Sequence, residues 1–293
     1  MTSSVHGESV KRAARKGLNR VPVGWSIFAW SVMTVYTLFT AGPLVWLAMT
    51  SLKSHREIVR GILAWPKEAS FDNFVRAWQL GDFGTAFVNS VVYALVSTVV
   101  TLVLALALGY AFSHIRSRFT PFLYSFVLLG LLITVHSTLI PLFVLENAVG
   151  INNTRFGILL PYIAFGLPFA VYLATVFIRD IPKDIIAAAQ IDGANHWQIF
   201  RYIILPVSLP ISATIAIFTF LAAWNEFVLV FTLTSGRDLQ SLQVGINALV
   251  GGRNADQGVK FAALVIGTLP MLVFYLLFQN QLRKGFVGGA IKG

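Results

Sequence analysis

Two places in this chain put an ionisable group where its neighbours are apolar. Trp224-Asn225-Glu226 interrupts an apolar run from about 207 to 232, and His136, flanked by Ser137, Thr138 and Pro141, interrupts another from about 121 to 144. Such groups are costly in hydrocarbon unless they face protein or a water-filled cavity, so His136, Trp224, Asn225 and Glu226 are candidates for a solute path or gate. Glu226 is expected on a cavity or gate wall. For His136, a functional role and a neutral ring hydrogen-bonded to a neighbouring helix both stay open. As a pair, His136 and Glu226 would be the relay of an ion-coupled carrier.

Bond-making chemistry has no visible home. The five histidines, His6, His55, His114, His136 and His196, show no metal-ligand spacing with one another or with carboxylates. There is no G-x-x-x-x-G-K-[ST] phosphate loop, no G-x-S-x-G elbow and no close carboxylate pair inside an apolar run. With no cysteine in the chain, disulfides, thiolate metal sites and cysteine nucleophiles are excluded. The reading is a non-enzyme that binds no metal and no cofactor itself.

The most organised polar stretch is 181–210, IPKDIIAAAQIDGANHWQIFRYIILPVSLP. It reads as two short helices joined at Asp192-Gly193. Ala187, Ala188 and Ala189 favour helix and carry almost no bulk, so the first helix can lie close to another surface. Gly193 supplies the left-handed turn that ends it. Trp197, Phe200, Ile203 and Ile204 put an apolar stripe on the second, and Pro206 and Pro210 punctuate the return to apolar sequence. A plain connector between two spans would not need this organisation.

These segments hang on a membrane frame. The 293 residues are 56% hydrophobic and 12% charged, outside the range of a soluble globule. Runs long enough to cross about 30 Å of hydrocarbon lie near 25–50, 88–113, 121–144, 157–178, 207–232 and 261–282. The expected fold is therefore an all-α membrane protein of six transmembrane helices. Its parts are a basic tail (1–24), a first helix (25–50), an external loop (51–87), a five-helix core (88–282) enclosing the loop at 179–206, and a tail (283–293). Pro43, Pro168 and Pro270 are expected to kink their helices with support from neighbours. The net charge of +10 is explained by loops and ends, so no nucleic-acid partner is expected. With a cytoplasmic N-terminus, thirteen of the 22 Lys and Arg residues fall inside, which places both termini and the Ala-Asp-Gly hairpin in the cytoplasm. Lys11, Arg12, Arg15, Lys16 and Arg20 read as a topology signal in contact with anionic membrane lipid. No internal repeat is visible, which argues against an inverted-repeat carrier.

The hairpin resembles the cytoplasmic signature loop of binding-protein-dependent ABC-transporter permeases. Ala188, Ala189, Asp192, Gly193, Ala194, Phe200, Leu205 and Pro206 fall on its pattern, and Ala187 stands where the pattern has glutamate. Ser51-Leu52-Lys53, Asn89-Ser90, Ile140-Pro141-Leu142, Trp224-Asn225-Glu226-Phe227 and the terminal Gly289-Ala290-Ile291-Lys292-Gly293 are similar to the smaller permease subunit of maltose-type carbohydrate transporters. The resemblance implies a type I ABC importer permease in a bacterial or archaeal cell membrane. Its partners would be a second, homologous permease, two ATPase subunits that hold the ATP and Mg, and an extracytoplasmic solute-binding protein that delivers a di- or oligosaccharide. It also implies roles: Ala187, Ala188, Ala189, Asp192, Gly193, Ala194, Trp197, Phe200 and Pro206 in ATPase coupling, with Trp197 and Phe200 fastening the loop to its own membrane helices. Gly289, Ala290, Lys292 and Gly293 would form a C-terminal ATPase contact. A permease for glycerol-phosphate esters or another polar solute fits the same signature.

Overall fold

The computed structural model describes residues 23–115, 117–252 and 256–290, with side chains through 279; the basic tail expected at 1–24 lies almost wholly outside them. Among the described residues there are helices and turns and no strand. The helices are α1 Val23–Ser51, α2 His55–Arg60, α3 Asp72–Leu80, α4 Phe83–His114, α5 Thr120–Leu129, α6 Val135–Val149, α7 Arg155–Arg179, α8 Lys183–Ile191, α9 His196–Val207, α10 Leu209–Asn225, α11 Val228–Leu233, α12 Leu242–Gly251 and α13 Gln257–Ala290. Four of them, α1, α4, α7 and α13, are long and apolar enough to cross a membrane alone, and two bent pairs bring the number to six.

The core is the α4–α7 pair, with α10 laid against both. Small residues set its spacing: a Cβ built on Gly109 would stand 2.9 Å from that of Ala174, so only glycine lets the two backbones approach this closely. Thr101, Ala105, Ala170 and Ala174 continue the same buried seam. By contrast α1 touches the rest of the chain mainly along α13, where Trp46 meets Phe261 edge-on at 5.4 Å, and its other faces are open to lipid or a partner.

Two expected spans are broken rather than continuous. The third turns by 103° between Leu132 and Val135, and the fifth by 76° at Ser208. At the first bend Thr134 takes an extended conformation and Gly130 packs against the Pro168 ring. At the second, a π-helical turn over Phe200–Ile204 runs into Pro206 and Pro210, which remove two backbone donors in succession. Beyond α10 the chain breaks again at Glu226 and Phe227 before α11. Pro43, Pro161, Pro168, Pro141 and Pro270 all sit inside continuous helices. The stretch from 283 is helical as far as Ala290, because α13 continues past the expected end of the last span.

The two long connections, 51–87 and 234–260, form one folded cap at the end of the bundle remote from the hairpin. Lys53 is 1% exposed, and its ammonium donates to the carbonyls of Ile62 at 2.9 Å and Gly61 at 3.5 Å. Asn73 donates to the carbonyls of Ser51 and Lys53, both at 2.8 Å. Asn89 donates to Asp238 O (2.7 Å) and Gln240 O (3.1 Å), Tyr93 to Leu239 O (2.9 Å), and the Ser90 hydroxyl accepts from the Leu242 amide (2.8 Å). Arg76 pairs with Asp256 at 2.6 Å, which ties α3 to the start of α13. Burial pushes the Asp256 carboxyl up, but the Val259 amide and Arg76 outweigh it and hold the group below its ordinary value of 3.8.

Candidate functional site: a two-helix hairpin at one end of the bundle

The 181–206 hairpin folds as its residue types demand. α8 ends in a Schellman motif: the Gly193 amide donates to Gln190 O at 3.1 Å and the Ala194 amide to Ala189 O at 2.9 Å. Gly193 has φ +81°, and no atom lies within 4 Å of the position its Cβ would take. Glycine is therefore required here by backbone conformation and not by crowding. α9 opens with a reciprocal capping box, in which the Gln198 amide donates to Asn195 Oδ1 (2.9 Å) and the Asn195 amide to Gln198 Oε1 (2.8 Å).

The register of α8 divides its residues between two faces. Ile186 and Ala189, three apart, turn inward onto the cluster of Ile178, Ile181, Ile199, Phe200 and Ile204. Ala187, Ala188 and Ile191 turn outward, with Ile191 86% exposed. Of the residues expected in ATPase coupling, Ala187, Ala188, Asp192 and Gly193 are exposed, whereas Ala189 and Ala194 pack inward against the hairpin's own base. Helical periodicity makes this division, since 186 and 189 share a face that 187, 188 and 191 do not. Phe200 packs the hairpin onto the bundle, 8% exposed and 5.8 Å from Tyr110. Trp197 is 65% exposed, and its ring lies 5.9 Å from that of Phe200. It sits one turn before Phe200 in α9. Pro206 is exposed at the bend that returns the chain to α10.

A second fastener was missed in the sequence. The Tyr110 hydroxyl meets His196 Nδ1 at 2.9 Å, and the His114 ring stacks on Tyr110 at 5.5 Å. The first turn of α9 is thus hydrogen-bonded to the last turns of α4. Tyr110 carries no local signal, because its partner lies 86 residues away.

The candidate path residues do not form one cluster. Glu226 accepts from the Leu229 amide with both oxygens at 3.0 Å and from the Tyr162 hydroxyl at 3.4 Å, so it caps α11 at the break in the fifth span. Trp224 is buried between Phe87 (5.8 Å) and Phe220 (5.8 Å), and Asn225 donates to Leu221 O at 2.8 Å. His136 lies exposed on the first turn of α6, and no hydrogen bond joins it to Glu226. Sequence reading also missed Glu146, which is 1% exposed on α6 beside an apolar cavity of about 540 Å³ between α6 and α7. Gly289 and Ala290 end α13, and Lys292 and Gly293 lie outside the described residues. No group of His, Asp and Glu able to hold a metal occurs among the described residues.

The fold and the hairpin have counterparts. A subunit of a bacterial ABC transporter that imports the acidic polysaccharide alginate superposes with a TM-score of 0.78 over 87% of this chain and 95% of its own, at 22% identity, which is a likeness of fold. The diacetylchitobiose uptake system permease protein NgcG of Streptomyces coelicolor is 33% identical over 91% of this chain and 87% of its own. The trehalose transport system permease protein SugB of Mycobacterium tuberculosis is 33% identical over 90% and 97% respectively. Residues 101–287, which contain the second half of α4, all of α7 and α10 and the whole hairpin, match the family described as binding-protein-dependent transport system inner membrane component. The broken spans, the Schellman-terminated hairpin and this match over most of the chain agree: the protein is a multi-pass membrane permease of the binding-protein-dependent ABC transport family.

Proposed function

We propose that the chain is one of two permease subunits of an ATP-driven importer that moves a di- or oligosaccharide into the cytoplasm, and that its 181–206 hairpin is the element through which an ATPase subunit drives it. The observation that carries this reading is the hairpin's outward face. Ala187, Ala188, Ile191 and Trp197 present apolar surface away from the core, while Phe200 and the Tyr110–His196 bond tie the same hairpin inward. A surface of small residues beside two large apolar ones suits a cleft in another protein better than water. Two ATPase subunits would hold ATP and Mg, and this chain would contribute no nucleotide site. Both termini and the hairpin would be cytoplasmic, with the cap built from 51–87 and 234–260 meeting a solute-binding protein outside.

The sugar assignment is supported by the trehalose and diacetylchitobiose relatives, each similar over nine-tenths of this chain. An ion-coupled carrier using His136 and Glu226 loses its structural motive, since the two are not hydrogen-bonded and Glu226 is engaged in capping. The test is reconstitution of the chain with its partner permease, ATPases and binding protein in proteoliposomes. Uptake of a disaccharide that needs ATP inside and binding protein outside is the expected result. Uptake driven by an ion gradient without ATP would overturn the reading, and uptake confined to glycerol-phosphate esters would replace its solute.

A further inference from the structure

At the hairpin end of the bundle, the turn between α4 and α5 and the last turn of α7 enclose an open groove of about 530 Å³. Arg118 and Arg179 both line it, together with serine and threonine hydroxyls, and among the described residues no carboxylate does. Asp180, next to Arg179 in the chain, has an interaction of its own and is not part of that lining. Each guanidinium lies over an aromatic ring, Arg118 over Phe119 at 4.8 Å and Arg179 over Tyr124 at 4.9 Å. A guanidinium stacked in this way is oriented by the ring and keeps its N–H edge free for an oxyanion. Two such guanidinium groups lining one polar groove suit a phosphate group.

The surroundings say which phosphate. The groove opens beside α5, on which Phe122 and Phe126 are a turn apart and exposed, with Leu123 and Leu129 next to them. A free phosphate ion makes no use of that apolar strip, whereas acyl chains attached to the phosphate would lie along it. Two cations without a lining carboxylate favour a headgroup of net negative charge over a zwitterionic one. We propose that this groove binds an anionic phospholipid, its phosphate held between Arg118 and Arg179 and its acyl chains laid on Phe122 and Phe126. The groove shares Arg179 with the helix that leads into the hairpin, so the bound lipid would brace the base of α8.

The test uses the full-length chain purified in mixed phosphatidylglycerol and phosphatidylcholine, with retained lipid read by native mass spectrometry. Phosphatidylglycerol should be retained over phosphatidylcholine. Replacing one arginine by glutamine should lower that retention about fivefold and replacing both about thirtyfold, following about 1 kcal/mol per basic residue at an anionic surface. The double variant Arg118→Lys/Arg179→Lys, which keeps the charge, should hold most of the lipid and serves as the control for folding. Millimolar inorganic phosphate should not displace the lipid. Equal retention of both lipids, or unchanged retention in Arg118→Gln/Arg179→Gln, would overturn the proposal. Displacement by inorganic phosphate would also overturn it, by assigning the groove to a free anion.

Discussion

Gly193 offers the sharpest test of the hairpin's role, because its φ of +81° is the only constraint on the position. Nothing lies within 4 Å of where a Cβ would stand, so a substitution there adds backbone strain and no clash. An L-residue in the left-handed region costs about 1–2 kcal/mol, asparagine less, and a β-branched residue most of all. Gly193→Val should therefore weaken the closed turn by about 2 kcal/mol or more, which is roughly thirtyfold in its population. The two Schellman bonds, to Gln190 O and Ala189 O, open with it, and they free the outer end of α8 while Ile186 still anchors the inner end. Assembly with the ATPases should survive, since the global fold does not depend on this turn. ATP hydrolysis should no longer produce uptake. Measured as sugar moved per ATP hydrolysed, coupling should fall in the order Gly, Asn, Ala, Val. Normal coupling in Gly193→Val would refute the lever, and equal damage from Asn and Val would refute the conformational argument.

Three further outcomes are expected. Ile191→Ser removes an 86% exposed side chain, so it should change the chain's own stability by no more than about 0.5 kcal/mol. Co-purification of the ATPase should nonetheless drop about tenfold or more, because burying an isoleucine contributes about 1.5–3 kcal/mol to a contact. Glu226→Ala removes the cap of α11, at a cost of about 0.5–2 kcal/mol, and should reduce transport while leaving ATPase binding unchanged; unaltered transport would reduce Glu226 to packing. For Asp256, whose pKa is lower folded than unfolded, the stabilisation is present above the ordinary carboxylate range and is lost as pH falls through the folded value. Once intrinsic rates are corrected for pH, the protection of amides in the first turn of α13 should fall in acid in the wild type and be far less pH-dependent in Asp256→Asn.

What the sequence made legible depended on how far apart the causes lie. The apolar runs were readable because bilayer thickness sets their length, and the Gly193 turn because a Schellman motif is written in neighbouring residues. Pro206 and Pro210 marked the return to apolar sequence for the same local reason, but the 76° turn at Ser208 was not read from them. The 103° bend of the third span carried no comparable signal: Gly130 meets Pro168, on another helix, and no periodicity within 121–144 encodes that contact. Lys53 shows the same limit from the other side. A lysine after an apolar run marks a span end, but its burial on the carbonyls of Gly61 and Ile62 follows from how α2 and the cap fold back over it.

The hairpin also shows why composition alone could not sort its surface. Ala187, Ala188 and Ala189 look equivalent in the sequence, yet about 100° of rotation per residue sends the third inward and leaves the first two outside. Adding Ile191 to the outer pair gives a face with two methyl-sized steps and one branched aliphatic knob. In water that face is a liability, because about 25 cal/mol is forfeited for every Å² of apolar surface left uncovered. Its retention beside a tightly closed Gly193 turn makes sense if the turn's task is to present the knob rigidly, so that force applied at Ile191 reaches Tyr110 and α4 through His196 without being absorbed by bending.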